Sequence, residues 1–89
     1  MEFTEILGLT AGTITSITFL PQVIQVYKTK SAKDISLSMV LLLTVGVAMW
    51  LAYGILILNA AIVYTNSMVL AMAIILLYFK WKFDGTDRR

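Results

Sequence analysis

The sequence predicts an all-α integral membrane protein, a bundle of three transmembrane helices. Two observations carry that prediction. Of the 89 residues, 60% are hydrophobic and only 13% charged, where a soluble domain carries about 25% charged residues. The charges are also segregated: no Asp, Glu, Lys or Arg occurs from Ile6 to Tyr27, or from Ile35 to Phe79. At about 20 residues per crossing, the first gap holds one span and the second holds two. A compact soluble core has no need of uncharged runs of that length.

Composition also narrows the function. A net charge of +2 is too small to argue for a nucleic-acid partner, and the basic residues sit where they would flank spans. There is no cysteine and no histidine, so disulfides and thiolate metal sites are absent and neither metal nor cofactor is expected. The N-terminus, Met1-Glu2-Phe3-Thr4-Glu5, is acidic, whereas a signal peptide starts positive and ends in a small-residue cleavage site. The first helix is therefore expected to remain in the mature protein.

A first helix is expected over residues 4–27. Gly8, Gly12 and Ser16 recur every fourth residue, a small-residue ridge along which another helix can approach closely. Pro21 is the one proline of the chain. It cannot donate to the carbonyl of Ile17, and its ring crowds that carbonyl, so the helix should kink or hinge there. The freed carbonyl cannot turn to water inside a membrane, and Ser16, Thr18 and Gln22 are near enough to serve it. The proline by itself leaves a static kink and a working hinge equally open.

A polar loop, 28–35, follows with Lys28, Lys30 and Lys33. The second helix is expected over 36–58 with Ser36 as N-cap. A tight turn at 59–60 makes the second and third helices antiparallel neighbours, and the third runs over 61–81. Tyr78, Trp81 and the adjacent lysines read as an interfacial anchor, and 82–89 as a polar tail. All of this makes one domain, 1–89.

Orientation follows from the basic residues. Lys28, Lys30, Lys33, Lys80, Lys82, Arg88 and Arg89 fall on one side of a three-span topology, and the other side holds Glu2 and Glu5. The bias toward cytoplasmic Lys and Arg places the loop and the C-terminus in the cytoplasm and the N-terminus outside.

No Asp, Glu, Lys, Arg or His lies within the two runs, Ile6 to Tyr27 and Ile35 to Phe79, that hold the body of the predicted spans. Proton-coupled carriers and ion pumps normally need such a group, and a small multidrug exporter would show an embedded acid. Nucleophilic catalysis is unsupported as well, because no serine has a base near it in sequence. The chain does not read as an enzyme.

The polar groups left in the spans are neutral, and Asn66 is the most costly of them to bury, on the order of a few kcal/mol without partners. It must face protein or a water-filled cavity. Trp50 lies about 12 Å below the outer end of the second helix near Leu58, and Asn66 about 8 Å below the start of the third near Ala61. A tryptophan that deep does not belong to an interfacial belt. A flat ring beside an amide suits a sugar: the ring covers the C–H face, and the amide donates to and accepts from hydroxyls. The competing reading is that Trp50 fills a bundle core and Asn66 makes an interhelical hydrogen bond. Tyr53, one turn outward of Trp50 on nearly the same face, closes over a pocket or anchors at the interface. Phe19 and Met39 lie toward the cytoplasmic ends, where packing is the ordinary role of large apolar residues. Three helices are too few to surround a path for a polar solute, so a transporter built from this chain must assemble, most simply as a two-fold dimer.

The ordered set Phe19-Leu20-Pro21-Gln22-Val23, Thr29-Lys30-Ser31-Ala32-Lys33-Asp34-Ile35-Ser36, Trp50-Leu51-Ala52-Tyr53-Gly54 and Asn66 resembles the bacterial SemiSWEET sugar transporters of the PQ-loop superfamily. The resemblance covers almost the whole chain in length, span count and motif order. It implies helices packed in the order 1-3-2 and a parallel two-fold homodimer of six helices around one path. It implies that Trp50 and Asn66 of both subunits line the substrate site, with Pro21 of the Pro21-Gln22 pair as hinge. Phe19 and Met39 would form the cytoplasmic gate and Tyr53 the outer gate. The implied activity is facilitated diffusion of a mono- or disaccharide, of the glucose or sucrose class, by alternating access in the bacterial inner membrane. Some relatives carry Arg and Asp where this chain has Ile57 and Asn59. Outer closure here is then expected to rest on Tyr53, apolar packing and Asn59. Two rival readings are transport of another neutral or zwitterionic solute, such as an amino acid, and a non-transporting membrane assembly subunit.

Overall fold

The computed structural model describes residues 2–84. The chain forms α1 (Phe3–Ile17), α2 (Leu20–Thr29), α3 (Leu37–Leu56) and α4 (Ala60–Phe79), and α4 runs on into a π-helical turn, Lys80–Asp84. These elements make three segments long and apolar enough to cross a membrane: Phe3–Thr29, Leu37–Leu56 and Ala60–Phe83. Of the expected tail, residues 85–89 with Arg88 and Arg89 lie outside the described residues.

The first span, expected over 4–27 with a kink at Pro21, is two helices, and together they run over Phe3–Thr29. It breaks at Thr18–Phe19, just ahead of Pro21 in the first turn of α2, where a missing N–H costs least. The backbone tightens there, with Thr18 N–H donating to the Thr15 carbonyl and Phe19 N–H to that of Ser16, both at 3.1 Å. The hydroxyls expected to serve the freed Ile17 carbonyl are engaged elsewhere. Ser16 Oγ donates to Gly12 O at 2.8 Å, and Thr18 Oγ1 donates to Thr15 O. Each has bonded back one turn along its own helix, the ordinary habit of helical Ser and Thr.

Helix α4 lies in the middle, packed on α3 along one side and on α1 and α2 along the other, which is the order 1-3-2. The ridge on α1 is the reason α1 can come so close. A Cβ at Gly8 would lie 3.1 Å from Ala61 Cβ, and one at Gly12 would overlap the Thr65 side chain. Ser16 is fully buried. On the other side, α3 and α4 meet near their turn through Gly54, where an added Cβ would stand 2.6 Å from Ile62 Cγ2.

The turn comes earlier than 59–60. Helix α3 ends at Leu56, Leu58 takes a left-handed φ of 56°, and Asn59 caps α4 by accepting from Ile62 N–H at 3.0 Å. Asn59 N–H in turn reaches back to Gly54 O at 2.9 Å, closing the last carbonyls of α3 in the way glycine usually does at such an end. At the other start of a span, Ser36 Oγ accepts from Met39 N–H at 3.3 Å and caps α3.

At the opposite end from that turn, the 28–35 loop folds onto the end of α4. Lys80 Nζ donates to Ala32 O at 2.9 Å, over a small core of Val26, Ala32, Val40 and Leu76. The lysines of the loop and those of the α4 end therefore share one end of the molecule.

The bundle measures 52 × 22 × 14 Å between Cα extremes. The three spans are arranged with α4 between α3 and the α1–α2 pair. Much of the bundle's apolar surface is open, including Leu42 at 74% and Leu56 at 81% exposed, as suits a multi-pass membrane protein whose faces meet lipid or another subunit.

Candidate functional site

Most of the residues singled out above fall into two groups. The first is near the α3–α4 turn. Trp50 and Tyr53, one helical turn apart on α3, stand edge to face with ring centroids 5.6 Å apart and an interplanar angle of 85°. With Met49 they line an open hollow of about 310 Å³. Trp50 is 56% exposed, so it does not fill the core of its own bundle. Its indole face is available to something outside the protomer.

Asn66 is half-buried on α4. Its Nδ2 donates to Ile62 O at 2.9 Å, one turn back on the same helix. The interhelical bond that would have explained a buried amide is not made among the described residues, because the backbone carbonyl one turn away satisfies one N–H at no cost in helix approach. The second N–H and Oδ1 make no other hydrogen bond there. Measured from the helix ends, Trp50 lies about 9 Å below Leu56 and Asn66 about 9 Å below Ala60. The two are at one depth on adjacent helices, although Asn66 is not part of the wall of the Trp50 hollow.

The second group is at the lysine end. Phe19 and Met39 line one hollow of about 370 Å³, together with Gln22, Asp34, Ser36 and Leu76. The break in the first span places Phe19 half-buried here, and Met39, 71% exposed, begins the open face of α3. Pro21 and Gln22 are both exposed, and both line a neighbouring hollow beside Gln25 and Asp34. The expected gate and hinge residues are therefore neighbours.

Asn59 lies at the far end with Glu2, Thr4 and Glu5 around a hollow of about 290 Å³, and its Oδ1 is taken by the cap on α4. Tyr53 and Asn59 do not share a hollow. Sequence reasoning missed Met49 and Asp34 as lining residues. Met49 is signalled only by standing next to Trp50, and Asp34 only by its place one residue before Ile35 at the mouth of α3. Among the described residues no group of acids, His or Cys is arranged to hold a metal.

Three long apolar helices packed with the third between the first two define a class: all-α multi-pass membrane proteins. The PQ loop repeat family matches residues 3–60. The chain is 41% identical over 69 residues to the sugar transporter SemiSWEET of Bradyrhizobium diazoefficiens, covering 78% of this chain and 80% of that protein. It is 39% identical over 76 residues to the sugar transporter SemiSWEET of Leptospira biflexa, covering 85% and 89%. Among solved structures it matches a bacterial homologue of SWEET transporters with a TM-score of 0.87 and 32% identity, over 92% of this chain and 99% of that one. The chain belongs to the PQ-loop family, in its SemiSWEET branch.

Proposed function

We propose that the protein is a facilitative sugar transporter, a uniporter working by alternating access as a parallel two-fold homodimer in the bacterial inner membrane. The single observation that carries this reading is the pairing of the open Trp50 ring with Asn66, whose Oδ1 and second N–H are left over, at one depth. Two such pairs facing each other across an axis would offer a sugar two aromatic faces and two amides. The names of the relatives support sugar as the class of solute, and mono- and disaccharides of the glucose or sucrose class are the first candidates.

Three helices, with α4 packed between the other two spans, are too few to surround a path for a polar solute, and a second copy laid against the exposed face of α3 would complete one. Tyr53 stands on the turn side of Trp50, and Phe19 and Met39 stand on the lysine side. Closing one end and then the other exposes the site alternately. The break at Thr18–Phe19 and the missing N–H of Pro21 supply the bend. Lysines at one end only put that end in the cytoplasm and the α3–α4 turn, with the N-terminus, outside. With no Asp, Glu, Lys, Arg or His over 6–27 or 35–79, the stretches that hold the middle of the spans, no proton is coupled to the cycle.

The test is uptake of labelled sugar by proteoliposomes loaded with unlabelled sugar. Exchange that is indifferent to a protonophore is expected. Uptake that collapses with the proton gradient would contradict uniport, and absence of exchange by a folded dimer would contradict sugar as the solute.

A further inference from the structure

We propose a second, weaker sugar-binding station at the lysine end, formed by Phe19, Gln22 and Asp34 and distinct from the Trp50–Asn66 site. It rests on the sugar reading above and deepens it. These three residues line a hollow of about 370 Å³, within the range of about 300–1,000 Å³ usual for small-molecule sites. Met39, in the same wall, is about 16 Å along α3 from Trp50. One sugar ring cannot span that distance and touch both sets of residues.

The chemistry of the wall is that of a carbohydrate site. Phe19 gives a half-buried ring face. Gln22 gives an amide that both donates and accepts, and Asp34 a carboxylate that accepts from hydroxyls. Bonds of hydroxyls to a carboxylate are charge-assisted, roughly twice as strong as neutral ones. Neither the Gln22 amide nor the Asp34 carboxylate is engaged in a side-chain hydrogen bond or ion pair among the described residues, although Lys33 is the neighbour of Asp34 in sequence. Three loop lysines, Lys28, Lys30 and Lys33, precede this one carboxylate, which disfavours a cation as its ligand and leaves neutral hydroxyls.

A second hollow, of about 610 Å³, shares Gln22 and Asp34 and adds Gln25, Thr29 and Ser31. Gln22 and Asp34 thus stand between the gate residue Phe19 and a polar mouth. A solute leaving past Phe19 meets hydroxyl-binding groups before it reaches water.

Saturation-transfer NMR with glucose and with sucrose on the detergent-solubilised protein separates the two stations. The Trp50→Ala/Asn66→Ala variant removes the deeper site. It should retain weak sugar binding, and adding Gln22→Ala and Asp34→Asn should then reduce the residual affinity about tenfold. Lys33→Gln in the Trp50→Ala/Asn66→Ala background should leave it unchanged, and elution as a dimer confirms folding throughout. Loss of all binding in the Trp50→Ala/Asn66→Ala variant, while the parent still exchanges sugar, overturns the second station and spares the transporter. Residual affinity left unchanged by Gln22→Ala and Asp34→Asn also overturns it. A folded parent that neither exchanges nor binds sugar overturns both.

Discussion

Gly12 of α1 lies directly against Thr65 of α4: a Cβ on Gly12 would stand 2.7 Å from Thr65 Cβ. The contact sits midway along the seam between the first and third spans, with Gly8 on Ala61 one turn before it. Gly12→Ala should destabilise the protein by about 1–3 kcal/mol, the usual cost of overpacking. Gly46 on α3 has nothing within 4 Å of an added Cβ, so Gly46→Ala should be neutral or stabilising by up to about 1 kcal/mol. Thermal denaturation of the two variants in one detergent checks the contrast. Equal behaviour would mean that the seam is not close-packed.

Leu58 carries a left-handed backbone and a side chain 90% exposed. Such a conformation costs a residue with a Cβ roughly 1–2 kcal/mol, and Leu58 has little packing to offset it. Leu58→Gly should therefore raise the melting temperature. A lower one would show that the leucine is held by lipid or by a second subunit.

Asn59 has been given two roles, as outer gate and as the cap on α4. The cap is a hydrogen bond to Ile62 N–H at 3.0 Å. Asp caps as well as Asn does, and Ala does not, at a cost of about 1 kcal/mol. Asn59→Ala should lower stability by that amount, and Asn59→Asp should keep it. If Asn59→Asp keeps stability yet alters sugar exchange, Asn59 also serves the gate. Unaltered exchange would leave it as a cap alone.

Pro21 removes one backbone hydrogen bond at the break between α1 and α2. Pro21→Ala restores the donor and favours a continuous helix. Transport should slow severalfold while sugar binding measured at equilibrium stays within about twofold. Unchanged transport would reject bending at this point.

Much of the fold was legible in the chain. The two charge-free runs placed the three spans, Ser36 was recognisable as an N-cap, and the four-residue spacing of Gly8, Gly12 and Ser16 marked the face that α4 covers. The turn was placed too late, because Leu58 gives no warning that it will take a conformation favoured by glycine, whereas Asn59 is a favoured capping residue and could have been placed. The bond from Lys80 to Ala32 joins residues far apart in sequence, and no local pattern announces it. At the site, counting rise per residue was enough to bring Trp50 and Asn66 to one depth. That Asn66 bonds within its own helix and that Trp50 faces outward depend on how the helices rotate against one another, which periodicity in spans apolar all round cannot specify.

The central claim is that Trp50 and Asn66 bind the transported sugar. The most direct measurement is counterflow of labelled glucose and sucrose in proteoliposomes, comparing the parent with Trp50→Ala and Asn66→Ala and verifying the dimer in each. The account predicts exchange of at least one sugar by the parent and a loss of about tenfold or more in both variants, with the dimer intact. Exchange that persists at the parental rate in both variants would contradict it.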